Sequence, residues 1–189
     1  MTAIGFEPGV GRRIYSPEEI RRAVGGLAAA IAADYRRQPL VLLGVLKGAL
    51  CLTADLARAL GGKPDGPGEI FMDYIFVQRY GSGGTRGGRA RLEADARLPL
   101  EGANVIVVDD IVDRGLTLDF LRALLRERRP ASLRTCVLFD KPARREVDVP
   151  IDYRGLTVPD VFAIGYGLDY KEVYRNLPYL AELREGQTV

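Results

Sequence analysis

The sequence predicts an α/β fold with a mostly parallel central sheet flanked by helices. Three observations lead to this prediction. Continuous apolar runs of strand length recur along the chain, segments of helical period lie between them, and 189 residues suffice for one domain with a full core. Unbroken apolar runs are typical of strands buried on both faces, and alternation of such strands with helices indicates a parallel sheet.

The first half of the chain supplies two helices and two strands. Ser16 followed by Pro17 and two glutamates is typical of a helix start, and the helical pattern runs to about Tyr35. The next segments in order are the strand PLVLLGVL (39–46), the helix ALCLTADLARAL (49–60), which ends at a Gly-Gly pair, and the strand EIFMDYIFV (69–77).

A glycine-rich segment then interrupts the pattern. Five glycines between residues 81 and 88 make it too flexible for a core, so we expect a mobile loop or a long hairpin. The alternation resumes with a strand at Val105–Val108, a helix at Leu116–Arg128 and a strand at 132–140. From Pro142 onward the pattern predicts only short strand-like pieces and no long helix.

Composition excludes several classes of protein. A net charge of +2 with scattered arginines predicts no nucleic-acid partner, and no apolar run approaches the ~20 residues of a membrane span. The first residues lack the apolar region of a secretion signal, so we expect a cytoplasmic protein. Histidine is absent, which excludes histidine bases and histidine-ligated zinc. The two cysteines have apolar neighbours and are predicted to be free thiols.

The segment VIVVDDIVDRGLTL, residues 105–118, carries the strongest functional pattern. Its carboxylates end a buried run, where they are costly unless a cation or a polyhydroxyl ligand offsets them. A glycine between a strand and a helix exposes backbone N–H groups that can bind a phosphate. A ribose 5-phosphate fits both halves. The acidic pair alone would also fit solvated loop charge or the Mg²⁺ site of a receiver domain.

This segment resembles the 5-phosphoribosyl 1-diphosphate (PRPP) motif of type I phosphoribosyltransferases. Five further segments resemble the hypoxanthine/guanine branch of that family in order and spacing, over about residues 10 to 183: GVLKGAL, DYIFVQRYGSGG, FDKPARREVDVPIDYRGLTVPD, VFAIGYGLDY and YRNLPYL. The resemblance implies a single domain, 1–189, of the type I phosphoribosyltransferase fold. Its core would span about 36–140, and a small hood would come from about 1–20 and 142–189.

The resemblance also implies roles on the PRPP side of the site. Asp109 and Asp110 would hold the ribose hydroxyls, and Asp113 would face purine N7 as the general base. The 5-phosphate would lie in the loop of Asp113, Arg114, Gly115, Leu116 and Thr117. Lys47 would contact pyrophosphate beside Gly48, after a cis Leu46–Lys47 peptide, and Arg175 would meet it as well. Arg79 and Tyr80 begin a segment, up to residue 88, that would close over the site.

On the purine side, the resemblance implies four residues and a cofactor. Lys141 would donate to the 6-oxo group, Phe162 would stack on the base, and the Ala163 backbone would contact the base edge. Asp169, on the same side, would ligate Mg²⁺, with Asp109 and Asp110 as the other implied metal ligands.

Two positions depart from the family pattern. Arg114 stands where the phosphate loop usually has Thr, and Arg79 stands where the mobile loop usually has Ser. Three hypotheses remain for Arg114: it binds the 5-phosphate directly, it points to solvent, or it spoils the loop and lowers activity.

The function implied is purine salvage. The enzyme would need Mg²⁺, would make IMP or GMP from PRPP and a 6-oxopurine, and would form a homodimer or homotetramer. Its preference among hypoxanthine, guanine and xanthine stays open. Two alternatives stay open as well: an RNA-binding regulator that senses PRPP or nucleotides with the same fold, and a catalytically impaired paralogue.

Overall fold

A computed structural model describes residues 9–80 and 89–184 of the chain. The described elements, in chain order, are β1 (Val10–Tyr15), α1 (Pro17–Asp34), β2 (Leu40–Leu46), α2 (Leu50–Gly61), β3 (Ile70–Tyr80), β4 (Arg89–Ala94), β5 (Asn104–Val112), α3 (Leu116–Arg126), β6 (Ser132–Asp140), a 3₁₀ helix (Pro142–Arg144), β7 (Tyr153–Thr157), β8 (Ala163–Ile164) and β9 (Leu180–Leu183). None of the helices in these two ranges has the length and apolar character needed to span a bilayer.

Six strands form the central sheet, in the order β4-β3-β2-β5-β6-β7. All neighbours pair in parallel except β3 and β4. Successive residues of β2 face opposite layers: Leu40 and Leu42 pack in the cluster that contains α1 and α2, whereas Val41 and Leu43 pack in the cluster that contains α3. The sheet is therefore covered on both faces, and the predicted fold class is confirmed.

Helix α1 begins where its sequence predicts. The Ser16 hydroxyl accepts a hydrogen bond from the Glu19 N–H at 3.2 Å, and the Glu19 carboxylate accepts one from the Ser16 N–H at 2.8 Å. This reciprocal capping satisfies two backbone donors that would otherwise lack partners. The helix ends at Asp34, within a residue of the predicted end.

The predicted end of β5 was wrong. The strand continues through Asp109 and Asp110 to Val112, because β6 remains paired beside it as far as the Val112–Asp140 partners. Both aspartates thus lie within the carboxyl-terminal part of the strand instead of following it.

A second sheet joins segments from the two ends of the described chain. Its strands lie in the order β1-β9-β8 and pair antiparallel. The sequence did not predict β1, since its two arginines and its glycine hide the strand pattern. Strands β3 and β4 pair antiparallel, whereas the glycine-rich residues 81–88, predicted to be a mobile loop or a long hairpin, lie outside the described ranges.

Candidate active site

The site is organised around the two adjacent carboxyl groups of β5. Asp109 and Asp110 are only 7% and 8% exposed. Burial raises the pKa of Asp109 well above its usual range, and the neighbouring Asp110 raises it further. Burial also raises the pKa of Asp110, against the lowering effect of the Arg175 charge. A ligand that donates hydrogen bonds would stabilise this buried pair in its charged form.

The turn after β5 forms a cavity of about 180 Å³. Gly115 caps α3 with a φ of +87°, and a Cβ atom there would lie 2.7 Å from the Val147 carbonyl oxygen. Glycine is therefore required at this turn. All five predicted phosphate-loop residues line the cavity together with Asp109 (Asp113, Arg114, Gly115, Leu116 and Thr117). The cavity opens at a helix N-terminus, where backbone N–H groups and the helix dipole favour an anion.

Asp113 lies between this loop and the segment that follows β6. Its Oδ2 atom is 3.4 Å from Nη1 of Arg144, and its carbonyl oxygen accepts a hydrogen bond from Nε of Arg145 at 3.1 Å. Its Oδ1 atom is buried and has no hydrogen-bond partner among the described residues. A buried acceptor without a partner is costly, so a ligand that donates to this oxygen would be favoured.

Arg114, which differs from the family pattern, forms an ion pair with Glu146 at 3.0 Å, and its side chain is only 22% exposed. Its carbonyl oxygen accepts hydrogen bonds from the backbone N–H groups of Glu146 and Val147 at 3.0 and 3.1 Å. The hypothesis that Arg114 points to solvent is therefore wrong. The glycine turn forms with arginine in place, which gives no support to a spoiled loop, and direct phosphate binding stays a prediction.

The turn between β2 and α2 packs directly on the acidic pair. The Leu46–Lys47 peptide is cis, as the resemblance implied. A Cβ atom at Gly48 would lie 1.8 Å from Oδ2 of Asp110, so any larger residue would displace that carboxyl group. On its other side, the Gly48 carbonyl oxygen would be 2.0 Å from a Cβ atom placed at Gly167. The glycines thereby bring the turn, the β5 carboxyl groups and the segment after β8 together.

Predicted pyrophosphate and metal residues meet in that segment. Arg175 donates from Nη2 to Asp169 at 2.8 Å and from Nη1 to the Gly167 carbonyl oxygen at 2.8 Å. Lys47 donates to Glu172 at 2.9 Å. Lys47, Asp169 and Arg175 are thus brought together as predicted, but Glu172 was missed because an isolated glutamate in a tyrosine-rich stretch has no pattern to mark it.

The predicted purine-contacting residues Lys141, Phe162 and Ala163 lie on the segments that follow β6 and β7. Lys141 is 5% exposed and donates to the Val161 carbonyl oxygen. Burial lowers its pKa, against the opposite effect of Asp113. Phe162 is 47% exposed, and its ring meets Tyr170 edge-on at 5.8 Å. A large aromatic ring left open beside a polar cleft is suited to stacking on a flat ligand. Ala163 is buried in β8.

Two arginines that the sequence did not single out connect the loop to the purine side. Arg144 contacts Asp113 and also binds Asp160 at 3.0 Å. Arg145 pairs with the buried Asp140 while it holds the Asp113 carbonyl oxygen. The adjacent charges of ARRE, residues 143–146, next to Lys141 were the only available pattern, and they do not show which carboxyl groups these arginines contact.

The structure tests the implied metal ligands in part. Within residues 9–80 and 89–184, no three Asp, Glu, His or Cys side chains are grouped as a metal site. Asp169 therefore does not join Asp109 and Asp110 in a metal site built by the protein alone. Mg²⁺ commonly keeps several waters and takes one or two carboxylates plus substrate phosphates, and the acidic residues present fit that mode of binding.

One predicted pair is described only in part. The backbones of Arg79 and Tyr80 belong to the end of β3, beside Arg89 and Ala90 of β4. The rest of the predicted closing loop lies outside the described residues. Its role over the site stays a prediction.

Fold and site together define an α/β protein with two buried carboxyl groups and an anion-type glycine turn near the carboxyl end of its parallel sheet. Residues 12–171 match the model of the phosphoribosyl transferase domain. The hypoxanthine-guanine phosphoribosyltransferase of Dictyostelium discoideum is 41% identical over 91% of this chain and 94% of its own, and that of Bacillus subtilis is 38% identical over 90% and 92%.

Solved structures agree with these relatives. The hypoxanthine-guanine phosphoribosyltransferase from Bacillus anthracis superposes with a TM-score of 0.85 at 37% identity, covering 92% of this chain and 99% of its own. The hypoxanthine phosphoribosyl transferase of Trypanosoma cruzi gives 0.85 at 41% identity over 95% and 94%. The chain belongs to the phosphoribosyltransferase family, within its hypoxanthine-guanine branch.

Proposed function

We propose that this protein is a purine salvage enzyme. It transfers the 5-phosphoribosyl group of PRPP to N9 of hypoxanthine or guanine, which gives IMP or GMP and releases pyrophosphate. The observation that supports this most directly is a cavity lined by Asp109 and the whole 113–117 turn. The buried Asp110 carboxyl group lies next to Asp109, and Arg144 and Arg145 tie the turn to the Lys141 segment.

The PRPP half of the cleft offers three kinds of contact. The carboxyl groups of Asp109 and Asp110 accept hydrogen bonds from the ribose 2- and 3-hydroxyls, which offsets the cost of their burial. The 5-phosphate accepts hydrogen bonds from backbone N–H groups of the 113–117 turn. Lys47 and Arg175 meet the pyrophosphate group from the opposite side.

The purine half selects a 6-oxo ring. Lys141 has only donors, so it binds the 6-oxo oxygen and would leave the 6-amino group of adenine without an acceptor. Phe162 presents an open face for stacking. Backbone groups near Ala163 contact the far edge of the ring. This arrangement does not rank hypoxanthine, guanine and xanthine, which differ at the 2-position.

In the reaction, purine N9 forms a bond to C1 of the ribose as the bond from C1 to the pyrophosphate oxygen breaks. The ring must lose a proton, and Asp113 takes it at N7, where the unpartnered Oδ1 atom supplies the accepting oxygen. Asp169, and separately the Asp109–Asp110 pair, would hold Mg²⁺ together with water and substrate oxygens, and the ion would neutralise charge on the leaving pyrophosphate. Closure of the 79–88 segment would exclude water.

We also propose that the active form is a homodimer or homotetramer. Leu50, Phe71 and Met72 are between 41% and 52% exposed. They are three of the four large hydrophobic residues that are exposed in the described chain. Residues 70–75 of β3 lie outside the part of the strand that pairs with β4, so β4 does not cover this edge of the sheet. Light scattering after gel filtration tests this, and a monomer at micromolar concentration would contradict it.

A spectrophotometric assay tests the proposed activity. Purified protein with Mg²⁺ and PRPP is given hypoxanthine, guanine, xanthine, adenine or uracil in turn, and Asp113→Asn serves as the isosteric control. We expect turnover of 6-oxopurines only, with a large loss in the control. Folded protein that turns over none of these bases would contradict the proposal and would favour the impaired or regulatory alternatives. No observation in the structure favours RNA binding.

A further inference from the structure

The pyrophosphate side of the cleft ends in a two-residue turn whose backbone is unusual. Tyr170 and Val173 exchange backbone hydrogen bonds at 3.2 and 3.1 Å, and the residues between them, Lys171 and Glu172, have φ values of +51° and +67°. Positive φ at both central positions is normally supplied by Asn and Gly. Residues held in such a conformation cluster at functional sites, where the surroundings fix them.

The turn aims one carboxylate at two cations. The Glu172 N–H donates to Oδ2 of Asp169 at 2.9 Å, which fixes the backbone. Its side chain then reaches Nζ of Lys47 at 2.9 Å and Nη2 of Arg175 at 3.5 Å. Glu172 is 63% exposed, so burial does not hold it there. Both of its partners are cations that the proposed function assigns to pyrophosphate.

Without substrate, the charges of the side chains around Glu172 balance one another. Lys47 and Arg175 carry two positive charges, and Asp169 and Glu172 carry two negative charges, so the group is neutral. Arg175 does not need Glu172 for its position, since Asp169 and the Gly167 carbonyl oxygen each hold it at 2.8 Å. Its Nε atom is buried without a hydrogen-bond partner in the described chain. Glu172 is therefore not needed to hold Arg175, and its carboxylate offsets positive charge at both cations.

We propose that Glu172 is an internal competitor for the diphosphate-binding position. This inference rests on the proposed function and goes beyond it. A diphosphate group binds Lys47 and Arg175 by displacing the Glu172 carboxylate, and Glu172 returns to Lys47 as pyrophosphate leaves. The residue thus weakens binding of PRPP and of pyrophosphate by the same factor and promotes product release. No covalent step is involved.

Two variants test this. Glu172→Gln keeps the size of the side chain and removes its charge. Glu172→Asn removes the charge and the reach, and Asn tolerates positive φ. Glu101→Gln is the matched control, because Glu101 also forms an exposed pair, with Arg129 at 2.8 Å, on a part of the surface that the cleft does not use. Circular dichroism verifies that each variant is folded.

The measurements are the KM values for PRPP and purine, and calorimetric titration with pyrophosphate and Mg²⁺. An exposed pair of this kind supports an effect of roughly twofold to fivefold. We expect both Glu172 variants to lower the KM for PRPP and the Kd for pyrophosphate by that factor. The KM for purine should stay unchanged, and Glu101→Gln should behave as wild type.

Each other outcome has a definite meaning. Unchanged or weaker pyrophosphate binding in the Glu172 variants overturns the inference and assigns the residue a positioning role. Failure of both variants to fold also overturns it, since the residue would then be structural. Tighter pyrophosphate binding without turnover in any form rejects the proposed function and leaves the competition intact. Absence of pyrophosphate binding in every form overturns the inference whatever the turnover.

Discussion

Replacing Gly48 by alanine should damage PRPP binding. The new Cβ atom would lie 1.8 Å from Oδ2 of Asp110, and contacts below 3.0 Å are not seen, so the carboxylate must retreat by at least 1.2 Å. Overpacking of this kind costs about 1–3 kcal/mol of stability. A displacement of about 1 Å in an active site can lower activity by about 100-fold.

The assay separates the two substrates. We expect Gly48→Ala to lower kcat/KM for PRPP by about 100-fold, because Asp110 no longer meets the ribose, while the KM for purine changes little. Thermal unfolding reports the stability change in the same preparations. Gly61→Ala is the matched control, since no atom lies within 4 Å of a Cβ there.

A Gly48→Ala enzyme with wild-type KM for PRPP and wild-type melting temperature would refute this reasoning. That result would mean that Asp110 can move without consequence, and hence that it does not hold the ribose. Loss of activity in Gly61→Ala as well would show that the effect is not specific to the contact with Asp110.

Three further predictions concern other parts of the molecule. Gly25→Ala, in the interior of α1 with no atom within 4 Å of the new methyl group, should stabilise the fold by about 0.4–1 kcal/mol and raise Tm by about 1–4 °C; calorimetry that shows a lower Tm would contradict it. Burial raises the pKa of the Cys136 thiol to about 12, so a thiol reagent at pH 8 should modify only the partly exposed Cys51 until the protein unfolds; stoichiometric labelling of both thiols in native protein would contradict it. If Arg114 binds the 5-phosphate, Arg114→Thr should raise the KM for PRPP by about tenfold, whereas a large gain in turnover would reject direct binding.

Local pattern and residue spacing predicted much of this molecule. The serine-proline-glutamate start of α1, the apolar runs of β2 and β6, and the alternation that gives a parallel sheet are all properties of neighbouring residues, and each was confirmed. The sequence also placed Asp109 and the glycine turn together, and they line one cavity because both lie at the carboxyl end of a strand in a parallel sheet.

The errors share one physical cause, which is dependence on distant partners. Strand β1 exists only because β9, about 170 residues later, pairs with it. The extra length of β5 depends on β6, and the ion pair of Arg114 depends on Glu146. Glu172 reaches Lys47 across 125 positions. Residue spacing alone does not predict such contacts, and only a family pattern could indicate them.

The ties that Arg144 and Arg145 make across the cleft have a consequence for redesign of the enzyme. A substitution that alters the purine segment will shift these arginines and hence Asp113, which also lines the phosphate turn. By reciprocity, the affinity for PRPP and the affinity for purine are then coupled quantities. A library that searches for new base specificity should therefore vary the 113–117 turn together with residues 141–146. A change in only one of these segments would disturb its contacts with the other.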